Sequence, residues 1–173
     1  RPLVDRWILS RLARTAAAVD AAIADYQFAT YAAAMYDLIW RDVCDWYLEL
    51  VKPTVREDAA QQQVLRTVLD AMLRMLHPVC PFVTEALWPA VQASGPAGLR
   101  GLDLPASDLL AGAAWLDAGA VADLLDEDAE ATFTRVQELV GAIRTERARH
   151  GVNPRRQIVL HAPAAIRDLL AAA

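Results

Sequence analysis

The chain has 173 residues, 55% of them hydrophobic, which suits one domain with a buried core, or one domain with a small appendage. No long uncharged apolar run occurs, so we expect no membrane span. Two distant cysteines, Cys44 and Cys80, argue against a disulfide framework or a zinc site and for a reducing cytoplasm. The first residues lack the pattern of a signal peptide, and the chain begins with Arg1, so we expect part of a longer protein.

Charge is unevenly distributed along the chain, whose net charge is −5. Residues 1–93 hold 9 basic and 11 acidic side chains, and residues 94–143 hold 2 and 9. Residues 144–173 reverse the balance, with 6 basic and 2 acidic side chains. All basic residues except Lys52 are arginines, which pair bidentately with phosphate. An anionic partner would therefore fit the basic end better than the rest of the chain.

Apolar side chains recur every three or four residues in the first 93 residues, which predicts helices near 5–26, 28–52, 58–77 and 81–93. The first helix is expected to bury Ile8, Leu12, Thr15, Val19 and Ile23. The second is expected to bury Phe28, Ala32, Tyr36, Ile39, Val43, Trp46 and Leu50. The third and fourth stripes are Leu65, Val68 or Leu69, Met72 and Leu76, then Val83, Leu87 and Val91.

Prolines punctuate these helices. The second and third patterns stop before Pro53 and Pro78, because proline disfavours helix at the residue before it. Pro81 fits the first position of the fourth helix, where a missing N–H costs nothing. Short connections join antiparallel neighbours, so we predict a mainly α fold in which residues 1–93 form an up-down helical bundle.

The remaining residues are predicted to differ from this bundle. Turn residues around Gly95 and the lack of a clean period make 94–130 an irregular crossing segment. Helical periodicity returns at Phe133 and ends at Gly151 and Pro154. Residues 157–161 are strand-like, and residues 163–173 form a weak final helix. Residues 131–173 are thus predicted to be a helix followed by the start of a small, truncated α/β appendage.

No complete active site is visible in the sequence. A di-metal helical bundle needs Glu-x-x-His pairs, and none of the three histidines has a glutamate three residues before it. Gly-rich phosphate loops, nucleophile elbows and His-Glu-x-x-His motifs are also absent from the sequence. We therefore expect no catalytic residues, no metal and no cofactor in this chain.

Residues 40–53 form an unusual aromatic and acidic segment, Trp-Arg-Asp-Val-Cys-Asp-Trp-Tyr-Leu-Glu-Leu-Val-Lys-Pro. The simplest interpretation is one helix with Trp40, Val43 and Leu50 in the core. Its solvated face would then carry Asp45, Glu49 and Lys52. Glutamate and lysine three residues apart on a helix can pair, for roughly 0.2–0.5 kcal/mol.

The same segment resembles the Phe-Cys-Asp-Trp-Tyr-Leu-Glu-Leu-x-Lys-Pro signature of the valyl-tRNA synthetases, which are class I aminoacyl-tRNA synthetases. Residues 5–12, Asp-Arg-Trp-Ile-Leu-Ser-Arg-Leu, are similar to the opening helix of that family's anticodon-binding domain. Residues 76–88, which contain His-Pro-Val-Cys-Pro-Phe, are similar to a helix junction of the family. The resemblance covers about residues 5–160, is weakest over 94–130, and includes an arginine-rich helix end at 144–154.

This resemblance implies a domain that binds the anticodon stem and loop of valine-accepting tRNA. It also implies that the domain binds neither DNA nor a membrane. In the family, ATP with magnesium activates valine in a separate nucleotide-binding domain, and the valyl group then passes to tRNA. The motifs for that chemistry are not in this sequence. The resemblance thus implies a non-catalytic part of a cytoplasmic valine–tRNA ligase, covalently joined to its catalytic domain.

Candidate RNA-binding residues follow from this expectation. Unstacked bases of a loop are read by aromatic or arginine stacking, and phosphates are held by basic side chains. For base stacking the candidates are Trp46 and Tyr47, provided that they reach the surface. For phosphates the candidates are Arg6, Arg11, Arg14, Arg41, Lys52, Arg56, Arg144, Arg147, Arg149, Arg155 and Arg156. Alternatively, the basic end could pair with the acidic middle of the chain.

Two other interpretations stay open at this point. The chain could be the anticodon domain of an isoleucyl, leucyl or methionyl enzyme, although the Asp-Trp-Tyr-Leu-Glu-Leu string favours the valine enzyme. It could also be a non-catalytic helical module that binds proteins, which the negative net charge and the single lysine favour.

Overall fold

The computed structural model describes residues 1–153, 155–159, 161 and 166, and its described residues are mainly helical. The chain begins with helices α1 (Leu3–Ala24) and α2 (Phe28–Tyr36), a π-helix π1 (Asp37–Tyr47), and helices α3 (Leu48–Val51), α4 (Ala59–Leu76) and α5 (Pro81–Ala93). Two short strands follow, β1 (Ala97–Leu99) and β2 (Leu102–Leu104). After them come a 3₁₀ turn (Leu110–Gly112), helix α6 (Ala118–Val121), a second 3₁₀ turn (Ala122–Leu124) and helix α7 (Glu127–Arg149). The mainly α fold is confirmed, and the four predicted helices correspond to α1, the continuous α2–π1–α3 run, α4 and α5.

The chain divides into two compact units. Residues Ile8–Leu125 form one, called here the bundle unit, and residues Arg1–Trp7 with Asp126–Ala173 form the other, called the tail unit. Helix α1 contributes its first turns to the tail unit and the rest to the bundle unit. The division into residues 1–93, 94–130 and 131–173 stays a prediction.

The predicted core stripe of α1 is confirmed over most of its length. Ile8, Leu12 and Val19 are fully buried, and Thr15 is buried with them. Ile23, in the last turn, is 38% exposed, so the stripe leaves the core there. Periodicity identified this face because the other side of the helix carries polar residues and alanine.

The predicted core stripe of the second helix is correct at Val43 and otherwise wrong by about one residue position. The other buried apolar side chains are Tyr31, Met35, Leu38, Tyr47 and Val51. Phe28, Tyr36, Trp40 and Leu50, which the stripe or the simplest interpretation placed inside, are exposed. Both lines of side chains are apolar, so a period near 3.6 cannot select one of them. The eleven residues of π1 add a second reason, because its i→i+5 bonding shifts the faces of the helix.

The fourth predicted stripe is wrong at Val83 and Leu87, although Val91 packs against the core. Thr84 and Trp88 are buried in α5, whereas Val83 and Leu87 are half-exposed. Helix α5 is apolar on both sides, so periodicity again leaves its inner face undetermined. In the third helix, Val68 and Met72 are buried as predicted, together with further residues of α4. The core beside α5 consists of Leu73, Trp88 and Leu110, with Val91 and Ala113 packed against them.

Helix boundaries have local causes. Asp58 precedes α4, and its carboxylate accepts hydrogen bonds from the backbone N–H groups of Ala60 and Gln61 at 2.9 and 3.0 Å. This satisfies two of the donors that a helix start leaves unpaired. Helices α3 and α4 end two residues before Pro53 and Pro78, as the sequence predicts.

The segment after α5 contains a hairpin that periodicity did not reveal. Strands β1 and β2 pair antiparallel, with Leu99 opposite Leu102, so the turn is Arg100-Gly101. Gly98 has φ of +118°, and a Cβ there would lie 2.7 Å from the carbonyl oxygen of Leu102, so only glycine fits. Leu102 and Leu104 are buried on either side of exposed Asp103, which is the alternation of a half-buried strand.

The tail unit contains a small apolar cluster of its own. Trp7 stacks on Phe133 with ring centroids 3.9 Å apart, and both rings are buried beside Val136. The strand predicted at 157–161 is not formed by the described residues 157–159 and 161. A strand needs a neighbour for its backbone hydrogen bonds, and the two strands of the described part pair with each other. The predicted final helix, 163–173, falls outside the described residues apart from Ile166.

Candidate nucleic-acid interface

The aromatic and acidic segment of residues 40–53 lies along π1 and α3. Tyr47 is fully buried, so it cannot stack on a base as proposed, and Trp46 is partly buried. Asp42 is buried and accepts a hydrogen bond from the guanidinium of Arg11 at 2.8 Å. Within this segment, Asp42 therefore joins π1 to α1 in the bundle unit.

The solvated face predicted for this segment is confirmed. Asp45, Glu49 and Lys52 are exposed, and the ammonium of Lys52 donates a hydrogen bond to the carboxylate of Glu49. The pair lies on the surface, where the free energy of such contacts is small and falls with salt. Lys52 can exchange this partner for a phosphate at little cost.

A line of exposed aromatic rings runs along the outer side of α2 and π1. Phe28, Tyr36 and Trp40 are 62%, 56% and 55% exposed, and we call them the aromatic face. Tyr36 and Trp40 are four residues apart and lie on the same side of the helix, and Phe28 precedes Tyr36 by about two turns. The Tyr36 and Trp40 rings touch, with centroids 6.5 Å apart and planes inclined by 45°. Large exposed rings in a row are typical of a binding surface rather than of a solvated helix.

Arg41 follows the last ring of the aromatic face. Its guanidinium lies 3.2 Å from the carboxylate of Asp37, and both side chains are well exposed. Arg14 and Arg56 are exposed as well, on α1 and before α4. The bundle unit thus has exposed rings with a neighbouring exposed cation, which is the combination that single-stranded nucleic acid requires. Sequence reasoning missed the rings because it assigned them to the core.

The arginines at the end of α7 do not share one role. Arg147 is partly buried and donates to the backbone carbonyls of Asn153 and Arg156, both at 2.6 Å, which fastens the residues after α7. Arg149 lies 3.4 Å from Glu146 on the surface. The other candidates here are exposed, namely Arg144, Arg155 and Arg156. Arg147 therefore has a structural role, and its neighbours stay candidates for phosphate contacts.

Arg6 forms an ion pair with Asp126 in the tail unit. Its guanidinium lies 2.8 Å from the carboxylate of Asp126, the residue that also caps α7 by accepting from the N–H of Ala129. The hydrogen bond from Arg6, with that of Ala129, lowers the pKa of Asp126, and the same bond raises the pKa of Arg6. Arg6, a candidate for a phosphate contact, is thus paired with a carboxylate of the acidic middle of the chain.

A buried arginine that sequence reasoning missed organises the residues after α5. Arg74 pairs with Asp70 inside the bundle unit, where both side chains are almost fully buried. Its guanidinium also donates to the carbonyls of Pro105 and Ala114, each at 2.8 Å, and lies 5.2 Å from the ring centre of Trp88. The Asp70 and Arg74 spacing of i, i+4 inside an apolar stripe was the available signal.

The His-Pro-x-x-Pro-Phe junction between α4 and α5 has a structural explanation. The Nδ1 atom of His77 lies 2.8 Å from the hydroxyl of Thr84, which donates to the carbonyl of Cys80 at 2.8 Å. Glu85 accepts from the backbone N–H groups of Leu110 and Ala111 at 2.9 and 3.1 Å, and so caps the first 3₁₀ turn. These hydrogen bonds tie the junction to the start of α5 and α5 to the first 3₁₀ turn.

Two further groups, Tyr31 and Cys44, have raised pKa values because they are buried. Burial raises the pKa of Tyr31 to about 12, and its hydroxyl donates to the carbonyl of Met75. Burial also raises the pKa of the Cys44 thiol, which makes it less nucleophilic. Within the described residues, no three His, Cys, Asp or Glu side chains are grouped as a metal site requires. None of the helices in the described ranges combines the length and hydropathy needed to cross a bilayer.

A helical bundle that carries a mixed aromatic and basic surface agrees with the family to which the sequence is matched. The model of the anticodon-binding domain of tRNA ligase matches residues 5–162. The chain belongs to this family of anticodon-binding domains.

Its relatives include the valine–tRNA ligases of several bacteria. The chain is 37% identical over 164 residues to that of Dehalococcoides mccartyi strain CBDB1, covering 91% of this chain and 17% of the relative. It is 40% identical over 158 residues to the valine–tRNA ligase of Nocardia farcinica, and this match covers 89% of this chain and 16% of the relative. It is 38% identical over 173 residues to that of Rhodopirellula baltica, covering 96% and 16%. The chain thus spans about a sixth of the length of these relatives.

Proposed function

We propose that this chain is the part of a valine–tRNA ligase that binds the anticodon stem and loop of valine-accepting tRNA. The family match over residues 5–162, together with the similarity to three valine–tRNA ligases, carries this proposal. The whole enzyme would act in the cytoplasm and use ATP with magnesium to join valine to tRNA. This chain would contribute binding and orientation of the tRNA and no chemistry.

The aromatic face is the surface that best fits the loop of an RNA. Bases in an RNA loop are often unstacked from one another, and each can stack on an exposed aromatic side chain instead. Tyr36 and Trp40 present two touching rings, and Phe28 extends the line by two helical turns. We assign base stacking to these rings instead of to buried Tyr47.

We assign phosphate contacts to exposed arginines, one beside the aromatic face and the others in the tail unit. Arg41 directly follows Trp40, the last residue of the aromatic face. In the absence of RNA, its guanidinium is held by the carboxylate of Asp37. In the tail unit, Arg144, Arg149, Arg155 and Arg156 are exposed and can reach an anion. Such contacts supply affinity without regard to base sequence.

The test is a binding series with the chain and two transcripts, a valine-accepting and a leucine-accepting tRNA. We expect the valine-accepting tRNA to bind more tightly, and exchange of its anticodon for the leucine one to remove the difference. Equal binding of both transcripts would reduce the proposal to general RNA binding. No binding by the chain, and no weakening when residues of the aromatic face are changed in the longer enzyme, would refute it, and a protein-binding module would then be favoured.

A further inference from the structure

Helix α5 has an outer face that is apolar and exposed. Phe82, Val83, Ala86, Leu87 and Ala90 are exposed on it, and Phe82 is 92% exposed. The opposite side of the same helix carries Thr84 and Trp88, which are fully buried. A helix that is apolar all round is typical of the interior of a larger protein rather than of its surface.

The charge on α5 disfavours RNA as the occupant of this face. Glu85 is the only charged residue of Pro81–Ala93, and its carboxylate is engaged by the backbone N–H groups of Leu110 and Ala111. Nucleic acid binding depends on cations that neutralise phosphates, and this helix offers none. The aromatic face differs, because Arg41 follows its last ring.

We propose that the outer face of α5 is a docking surface for an apolar surface of the same, longer polypeptide. The relatives are about six times as long as this chain, so most of such a polypeptide lies outside the residues described. Burial of exposed apolar side chains drives such association, and the depletion of charge is typical of the centre of a protein–protein contact. The inference rests on the chain being part of a longer polypeptide and is independent of tRNA binding.

Hydroxyl-radical footprinting read by mass spectrometry tests this surface. Modification of Phe82 and Leu87 is compared between the 173-residue chain and the longer polypeptide that contains it, each first without RNA and then with added tRNA. We expect both side chains to be modified severalfold more slowly in the longer polypeptide, at every protein concentration. Leu109, which is 62% exposed and lies outside α5, serves as the reference and should keep its rate.

Four results would overturn the proposal. Equal modification in both proteins would show that the face stays open. Protection that grows with protein concentration would assign it to a second copy of the chain. Protection that needs added tRNA would assign it to RNA. Protection of Leu109 to the same extent would show a general loss of access rather than a contact at α5.

A variant pair makes the result specific. Phe82→Glu in the longer polypeptide should raise the modification of Leu87 towards its rate in the 173-residue chain, whereas Leu109→Glu should leave it unchanged. In the 173-residue chain, Phe82→Glu should leave thermal unfolding unchanged, because the side chain is exposed there. An unchanged rate at Leu87 in the Phe82→Glu longer polypeptide would contradict the proposal.

Discussion

Two tryptophans in the bundle unit stand in opposite surroundings. Trp88 is fully buried, its indole N–H donates to the carbonyl of Ser107 at 2.8 Å, and Arg74 lies over its ring. Trp40 is 55% exposed and touches Tyr36. Both occur in apolar helical patterns, so pattern alone does not separate them. A buried ring with its polar atom paired stabilises the fold, whereas an exposed ring beside a cation is available to a ligand.

The comparison is tested most strongly by truncating each ring. Trp88→Ala should lower the free energy of unfolding by roughly 3–5 kcal/mol, because it leaves a cavity in the core. Trp40→Ala should change it by no more than about 0.5 kcal/mol, as exposed substitutions usually do. Urea unfolding followed by circular dichroism measures both. If the Trp88→Ala curve overlays that of the parent chain, the placement of this ring is wrong.

Loss of the cation above Trp88 should be nearly as costly. Arg74→Met leaves Asp70 charged and buried without its partner, which should lower the free energy of unfolding by roughly 3–5 kcal/mol. The double variant Asp70→Leu/Arg74→Met should recover part of this loss, because no unpaired buried charge remains. A double variant that is less stable than Arg74→Met would contradict this expectation and would point to the hydrogen bond that Gln92 donates to Asp70.

The exposed ring should matter for RNA rather than for stability. Trp40→Ala should weaken binding of valine-accepting tRNA by roughly 1–3 kcal/mol, the range for loss of one stacked base. Phe82→Ala is the matched control, since it removes a ring that is even more exposed but lies on α5. Filter binding at fixed salt measures both. Equal losses for the two variants would contradict the assignment of bases to the aromatic face.

The basic end should affect how binding depends on salt. Replacing Arg155 and Arg156 with Ala should weaken cognate and non-cognate tRNA alike. The slope of log affinity against log salt should become shallower by roughly 0.7–0.9 for each phosphate that is no longer neutralised. Binding series at several salt concentrations measure this slope. A selective weakening of cognate tRNA would assign these arginines to base reading, and an unchanged slope would remove them from the interface.

The smallest expected effect concerns the surface pair of Arg6 and Asp126. The pair lowers the pKa of Asp126 from its ordinary value of 3.8. Its contribution to stability is therefore present above that value and is lost as pH falls through the lowered, folded-state pKa. Arg6→Gln should return the pKa of Asp126 towards 3.8, as measured by NMR titration of its carboxyl carbon. No movement would show that the hydrogen bond from the N–H of Ala129 alone sets the pKa.

The sequence was sufficient where polar and apolar faces alternate clearly. The core of α1, the helix ends before Pro53 and Pro78 and the surface pair of Glu49 and Lys52 follow from period, proline chemistry and spacing. The sequence did not identify the buried face of a helix that is apolar on two sides. The second and fourth helices were assigned the wrong inner faces, so the rings of the aromatic face were placed in the core.

The candidate site was less predictable than the fold. Nothing in the composition distinguishes Arg74, which is buried in the bundle unit, or Arg147, which fastens the backbone after α7, from exposed arginines such as Arg156. Their roles depend on carbonyl groups that tertiary structure brings near them. The antiparallel hairpin after α5 was missed for a similar reason, since its three-residue strands are too short to show a period.

The central claim is that the aromatic face holds the anticodon loop, and photo-crosslinking tests it most directly. A valine-accepting tRNA with a photoreactive base in its anticodon loop is bound to the chain, irradiated and mapped by mass spectrometry. We predict that the crosslinks fall on Tyr36, Trp40 or their direct neighbours and disappear when unlabelled tRNA competes. Crosslinks confined to Phe82 and the rest of the outer face of α5 would contradict the account.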